Sequence, residues 1–103
     1  MHNLPGTVGA GRACEDLDLA AARLRVLTDL MADLHAIDRA SWLAYPAHGE
    51  PVLYVRIGAD GRRMAVLGVQ DVAGGWVYCW DGGRMATVDG TMQAAHQIAA
   101  VTR

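Results

Sequence analysis

Apolar residues Leu17, Ala20, Leu24, Leu27, Met31 and Leu34 recur at alternating steps of three and four, flanked by a second row of Leu19, Val26, Leu30 and Ile37. This spacing predicts a helix from about Cys14 to Ala40. Projected at the helical angle, the two rows fill an arc of about 180°, wider than the ~100° stripe of a helix that faces one core. The helix should therefore meet more than one neighbour. Glu15, Asp16 and Asp18 fall in its expected first turn, where the helix dipole favours negative charge. Arg23 lies inside the apolar arc and must either snorkel or pair with a carboxylate, with Asp16 and Asp38 as candidates.

After the helix the period changes. The segment from Ser41 to Pro51 holds Pro46 and Pro51 and reads as a loop, with Trp42 and Tyr45 anchored over the core edge. Apolar runs follow at Val52–Ile57, Met64–Val69, Trp76–Trp80 and Met85–Val88. They are separated by Asp60-Gly61, Gly74-Gly75 and Asp81-Gly82-Gly83, residues suited to tight turns, so an antiparallel meander is predicted. Asp89 or Thr91 then caps a closing helix whose apolar side is Met92, Ala95, Ile98, Ala99 and Thr102. Residues 1–12 carry three glycines and a proline and read as a flexible tail. The run Gly6 to Gly11 has no strand before it, which a phosphate-binding loop requires. The expectation is one α+β domain over residues 13–103: a long N-terminal helix, an antiparallel meander of three to four strands, and a short C-terminal helix.

Alternation sorts the strands into two faces. Leu53, Val55 and Ile57 match Ala65, Leu67 and Val69, then Val77 and Cys79, as an aliphatic face for the helix. The other face gathers Tyr54, Arg56, Met64, Val66, Gly68, Gln70, Trp76, Tyr78 and Trp80. It is too apolar to leave in water, so it is expected to be covered or to bind. Tyr54, Arg56, Met64, Trp76, Tyr78 and Trp80 are thus the candidate ligand or interface residues. Arg56 among the rings is the candidate ligand contact, because a guanidinium presents a fork to a carboxylate or phosphate.

Composition and charge remove several functions. At 52% hydrophobic and 19% charged the 103-residue chain should fold as a single domain. Its net charge is −2 and its nine arginines are scattered, so no basic stripe exists for nucleic acid. The helix–strands–helix order is that of a double-stranded-RNA-binding domain, yet the stretch Gly90 to Ala95, where such a domain places lysines, holds no positive charge. The Met1–Gly6 start lacks a signal-peptide pattern and no apolar run approaches ~20 residues, so a cytoplasmic protein without a membrane partner is expected. Cys14 and Cys79 should then be free thiols. A Cys79–His96 nucleophile pair oriented by Asp71, Asp81 or Asp89 is disfavoured, because alternation places Cys79 on the buried face. The four histidines show no metal-ligand spacing, and Asp60, Asp71, Asp81 and Asp89 sit at turns, where aspartate bonds its own backbone. No cofactor, metal or catalytic residue is expected.

The stretch from Gly75 to Met85, with its aromatic strand Trp76-Val77-Tyr78-Cys79-Trp80 and glycine turn, is followed by the alanine-rich run Ala94-Ala95 and Ile98 to Val101. Over roughly residues 52–103 this pattern resembles a set of short actinobacterial proteins. The resemblance implies a bacterial origin and carries no activity and no functional residue. The expected function is a small non-catalytic protein-interaction module, such as a secretion-chaperone-like or other accessory protein, homodimeric and using its aromatic sheet face, with a further protein partner as one option. The alternative is a binder of a small anionic or aromatic ligand, or a small enzyme, with a pocket around Arg56.

Overall fold

The computed structural model describes residues 3–45 and 50–101, with side chains from Leu17 onward. Residues 46–49 of the expected loop, Thr102, and the side chains of Cys14, Glu15 and Asp16 lie outside that description.

The first element, α1 (Asn3–Ala36), is one helix of 34 residues, about 51 Å long at 1.5 Å per residue. It starts earlier than expected and takes in the segment read as a tail. Pro5 falls in the first turn, where a missing N–H removes no helical bond. The acids at positions 15, 16 and 18 therefore lie inside the helix, not at its start. The helix also ends sooner, at Ala36. The Arg39 N–H donates to the Leu34 carbonyl at 2.8 Å and the Asp38 N–H to the His35 carbonyl at 3.0 Å. With Asp38 at φ 65°, this is a left-handed stop of the kind glycine usually provides. Asp38→Gly should stabilise the protein modestly. Relief of the left-handed strain outweighs the extra entropy of an unfolded glycine, and calorimetry should show Tm higher by about 3 °C, corresponding to ~0.5 kcal/mol.

Five strands follow: β1 (Ser41–Ala44), β2 (Val52–Arg56), β3 (Arg63–Gln70), β4 (Trp76–Trp80) and β5 (Arg84–Thr87). They form one antiparallel sheet in sequence order. A short 3-10 turn, Val88–Gly90, leads into α2 (Thr91–Val101). The fold is α+β, as expected. The additional strand is β1, which sits where a loop was expected. Its Leu43 pairs with Leu53 and packs against the core, so the extended segment gains apolar contact before the prolines begin.

The face assignment is corrected. Arg56 pairs with Arg63 across the six-residue connection 57–62, so Leu53 faces Val66 and Val55 faces Met64. An even number of connecting residues sets odd positions of β2 beside even positions of β3. The helices therefore cover Leu53, Val55, Val66, Tyr78 and Trp80. These pack with Leu27, Leu30 and Leu34 of α1 and with Ala94, Ala95 and Ile98 of α2 in one core. The aromatic strand side is inside together with Val66, and Ala65, Leu67, Val69, Val77 and Cys79 face outward.

Three contacts hold the helices on. Arg23 donates from Nε to the Gly68 carbonyl at 2.9 Å, pairs with Glu50 at 3.3 Å, and stacks its guanidinium 5.3 Å from the Trp76 ring centre. Snorkelling or a pair with Asp16 or Asp38 was expected for Arg23; its carboxylate partner is instead Glu50. The Thr91 hydroxyl donates to the Asp33 carboxylate, tying the first residue of α2 to α1. The Tyr78 hydroxyl donates to the Val26 carbonyl at 2.6 Å. Burial pushes the Tyr78 hydroxyl well above the usual tyrosine range, and the nearby Asp29 and Asp33 carboxylates add to this. A raised folded-state value means that this stabilisation is present in full below the ordinary tyrosine range near 10 and is lost as pH rises past it. In an alkaline titration read by ultraviolet absorbance, ionisation of one tyrosine should coincide with unfolding. That step should be missing in Tyr78→Phe.

Candidate functional site

With both helices on one side, the other face of the sheet is open. Its residues are Trp42 and Ala44 of β1, Val52, Tyr54 and Arg56 of β2, Arg63, Ala65, Leu67 and Val69 of β3, Val77 and Cys79 of β4, and Met85 and Thr87 of β5. Large apolar groups here remain in solvent: Trp42 and Leu67 are 40% exposed, Val69 37% and Met85 60%. Five strands at ~4.8 Å and about five residues at ~3.3 Å make this face roughly 24 by 17 Å, a patch of the size that marks contact surfaces.

The candidate residues named from the sequence divide between the two sides. Tyr54 and Arg56 lie on the open face. Tyr78 and Trp80 are buried in the core, Met64 packs against it, and Trp76 lies half-buried beneath Arg23. Trp42, not expected here, sits across from Tyr54 with ring centres 6.1 Å apart and planes tilted by 32°. Arg63 then lies 4.5 Å from the Tyr54 ring centre. This row was hidden because Trp42 reads as part of a loop. Its alternation with Leu43 is the signal that could have revealed a strand.

The charges on this face are of one sign. Arg56 donates from Nε to the Gly58 carbonyl at 3.2 Å. Arg63 has no ion pair among the described residues, where the carboxylate pairs belong to Arg23, Arg62 and Arg84. Beside Arg63, a shallow concavity of about 610 Å³ is lined by Ala65, Leu67, Cys79 and the turn Asp81 to Gly83.

The nucleophile pair and the metal spacing considered from the sequence are tested only on the described residues. Cys79 is a half-buried free thiol on the open face, not the core filler that the face sorting made it. His96 is exposed on α2, whose packed residues lie on the opposite side of the sheet, so the pair weighed from the sequence does not form. No group of three potential metal ligands occurs among the described residues, and no helix of these residues is long and apolar enough to cross a membrane. Two of the four turn aspartates bond backbone, and Asp81 instead pairs with Arg84 at 3.4 Å. Asp71 accepts from the Ala73 and Gly75 N–H groups, both at 2.9 Å. Asp60 accepts from the Arg62 N–H at 3.2 Å, and that bond, with the Arg62 guanidinium, holds its carboxyl below the usual range. Compared with family models, curated proteins and solved structures, the chain matches none.

Proposed function

We propose that this protein is a small non-catalytic interaction module that works as a homodimer, with the open sheet face as its contact surface. The observation that carries this reading is the band of Trp42, Tyr54, Leu67, Val69 and Met85, left uncovered by both helices. Leaving it in water forgoes about 25 cal/mol for each Å² of apolar surface that a partner would bury. A second copy is the partner always present at matching concentration, and homo-oligomers most often close as twofold dimers.

Light scattering should give twice the monomer mass at micromolar concentration. Leu67→Asp, at the centre of β3, should weaken the dimer about 100-fold and leave far-UV circular dichroism unchanged, because the residue lies outside the core. A monomer at high micromolar concentration overturns the reading.

A small carboxylate ligand has support of its own in Arg63, stacked on Tyr54 at the rim of the concavity and without an ion pair among the described residues, since Asp81 in the lining pairs with Arg84. For that reading, a thermal shift with aromatic or aliphatic acids should vanish in Arg63→Ala and persist in Arg56→Ala.

A further inference from the structure

The open face and α1 share one property: each has an apolar surface that the single chain leaves unused. The row Leu17, Ala20, Leu24, Leu27, Met31 and Leu34 runs along one side of the helix. Its C-terminal part is spent on this chain's own sheet, with Leu27 and Leu34 fully buried and Leu24 half-buried. Toward the N-terminus the same row emerges into solvent. Leu17 is 67% exposed, Leu19 beside it 42%, and Ala20 and Ala21 are exposed. From Asn3 to Ala21 the backbone of α1 runs 19 residues, or ~28 Å. That length spans the ~24 Å width of a five-stranded sheet.

We propose that the N-terminal half of α1 covers the open sheet face of a second copy, and that the second copy returns the same contact. This rests on the homodimer reading above and names the element that fills its surface. Symmetry permits the exchange. In each copy α1 lies on one side of the sheet and the bare face on the other. A half-turn about an axis in the sheet plane therefore carries the partner's bare face under the emerging helix, and the partner's helix under this chain's bare face. The contact is isologous and closes at two copies. The same side of α1 that packs on its own sheet then runs on across its neighbour's.

Charge agrees with this pairing. The strands of the bare face present Arg56 and Arg63 and no carboxylate, the turn acid Asp81 being paired with Arg84, whereas Asp18 stands between the exposed Leu17 and Leu19 on the emerging segment. Sheet against sheet would set arginines against a face with no acid to receive them. A helix ~10 Å across laid over ~24 Å of sheet covers about 240 Å² on each of the four surfaces of a reciprocal dimer. Together these approach the ~1,000 Å² that a specific interface needs.

The test uses full-length variants and the dimer dissociation constant. Leu17→Asp with Leu19→Asp should weaken the dimer at least ~100-fold without changing circular dichroism, since both leucines are exposed in the single chain. Asp18→Arg should weaken it about tenfold, and adding Arg63→Glu should restore it, which loss of structure would not do. A dimer that dissociates with Leu67→Asp yet is indifferent to Leu17→Asp/Leu19→Asp overturns this proposal and leaves the homodimer reading standing. A full-length chain that is monomeric overturns both.

Discussion

Gly68→Val is expected to destabilise the protein by about 3 kcal/mol, whereas Gly68→Ala should be close to neutral. Gly68 lies on β3 opposite Tyr78, directly beneath α1. A Cβ there would sit 3.1 Å from Val26 Cγ2, 3.5 Å from Arg23 Cγ and 3.7 Å from Leu27 Cγ. A single methyl group asks Val26 to yield by a few tenths of an ångström. That cost is comparable to the ~0.4–1 kcal/mol gained when an unfolded glycine becomes less flexible. Two further methyls leave no such balance. They must push α1 away from the sheet or turn off-rotamer, at ~1–3 kcal/mol, and displacement of α1 also loosens the Arg23 bond to the Gly68 carbonyl. Valine's preference for strands offsets at most ~1 kcal/mol of this. Urea denaturation followed by circular dichroism should show the loss. Val26→Ala combined with Gly68→Val should recover part of it, a coupling expected only if the clash with Val26 is its source.

The same glycine shows where sequence alone stops. The four strands and the helix after residue 50 were legible, though not the 3-10 turn Val88–Gly90: β4 has the bounds that alternation predicts, and the turns at Asp60-Gly61, Gly74-Gly75 and Asp81-Gly82-Gly83 fall between strands. What alternation cannot show is which face of one strand joins which face of the next. That depends on the number of residues in the connection, and the six residues between Arg56 and Arg63 reverse the match that an odd number would preserve. Asp60-Gly61 treated as a two-residue turn would already have given this parity, because any even connection does. A second obstacle was chemical. Tyr78 and Trp80 carry polar tips that argue for a surface position, but a tyrosine can be buried wherever its hydroxyl reaches a carbonyl, and Val26 supplies one. Leu67, Val69 and Cys79 carry no such tips and read as core, yet they lie on the uncovered side. Of the candidate site only Tyr54 and Arg56 were therefore found from the pattern. The end of α1 was missed for a local reason: Asp38 adopts the left-handed conformation that marks a stop when the residue is glycine.

Trp80→Ala should be the most damaging single substitution in the protein, costing about 3–5 kcal/mol out of a total stability of order 5–15 kcal/mol. Trp80 is 4% exposed, stands opposite Val66, and closes the core between β3 and the β4–β5 turn. Removing its indole leaves a void that neighbours on a paired sheet are poorly placed to fill. Trp80→Phe should behave differently. The indole Nε1 is buried and meets no hydrogen-bond partner among the described residues. A buried donor without a partner carries a penalty of ~1–3 kcal/mol. Phenylalanine keeps a ring in the core and discards that donor, so the smaller apolar contact and the relieved polar group nearly cancel, and a change within ~1 kcal/mol is expected. Far-UV circular dichroism in urea is the suitable probe, since both variants alter tryptophan fluorescence directly. If Trp80→Phe proves as damaging as Trp80→Ala, the indole N–H contributes a stabilising bond, and the core around β4 is held by more than apolar packing.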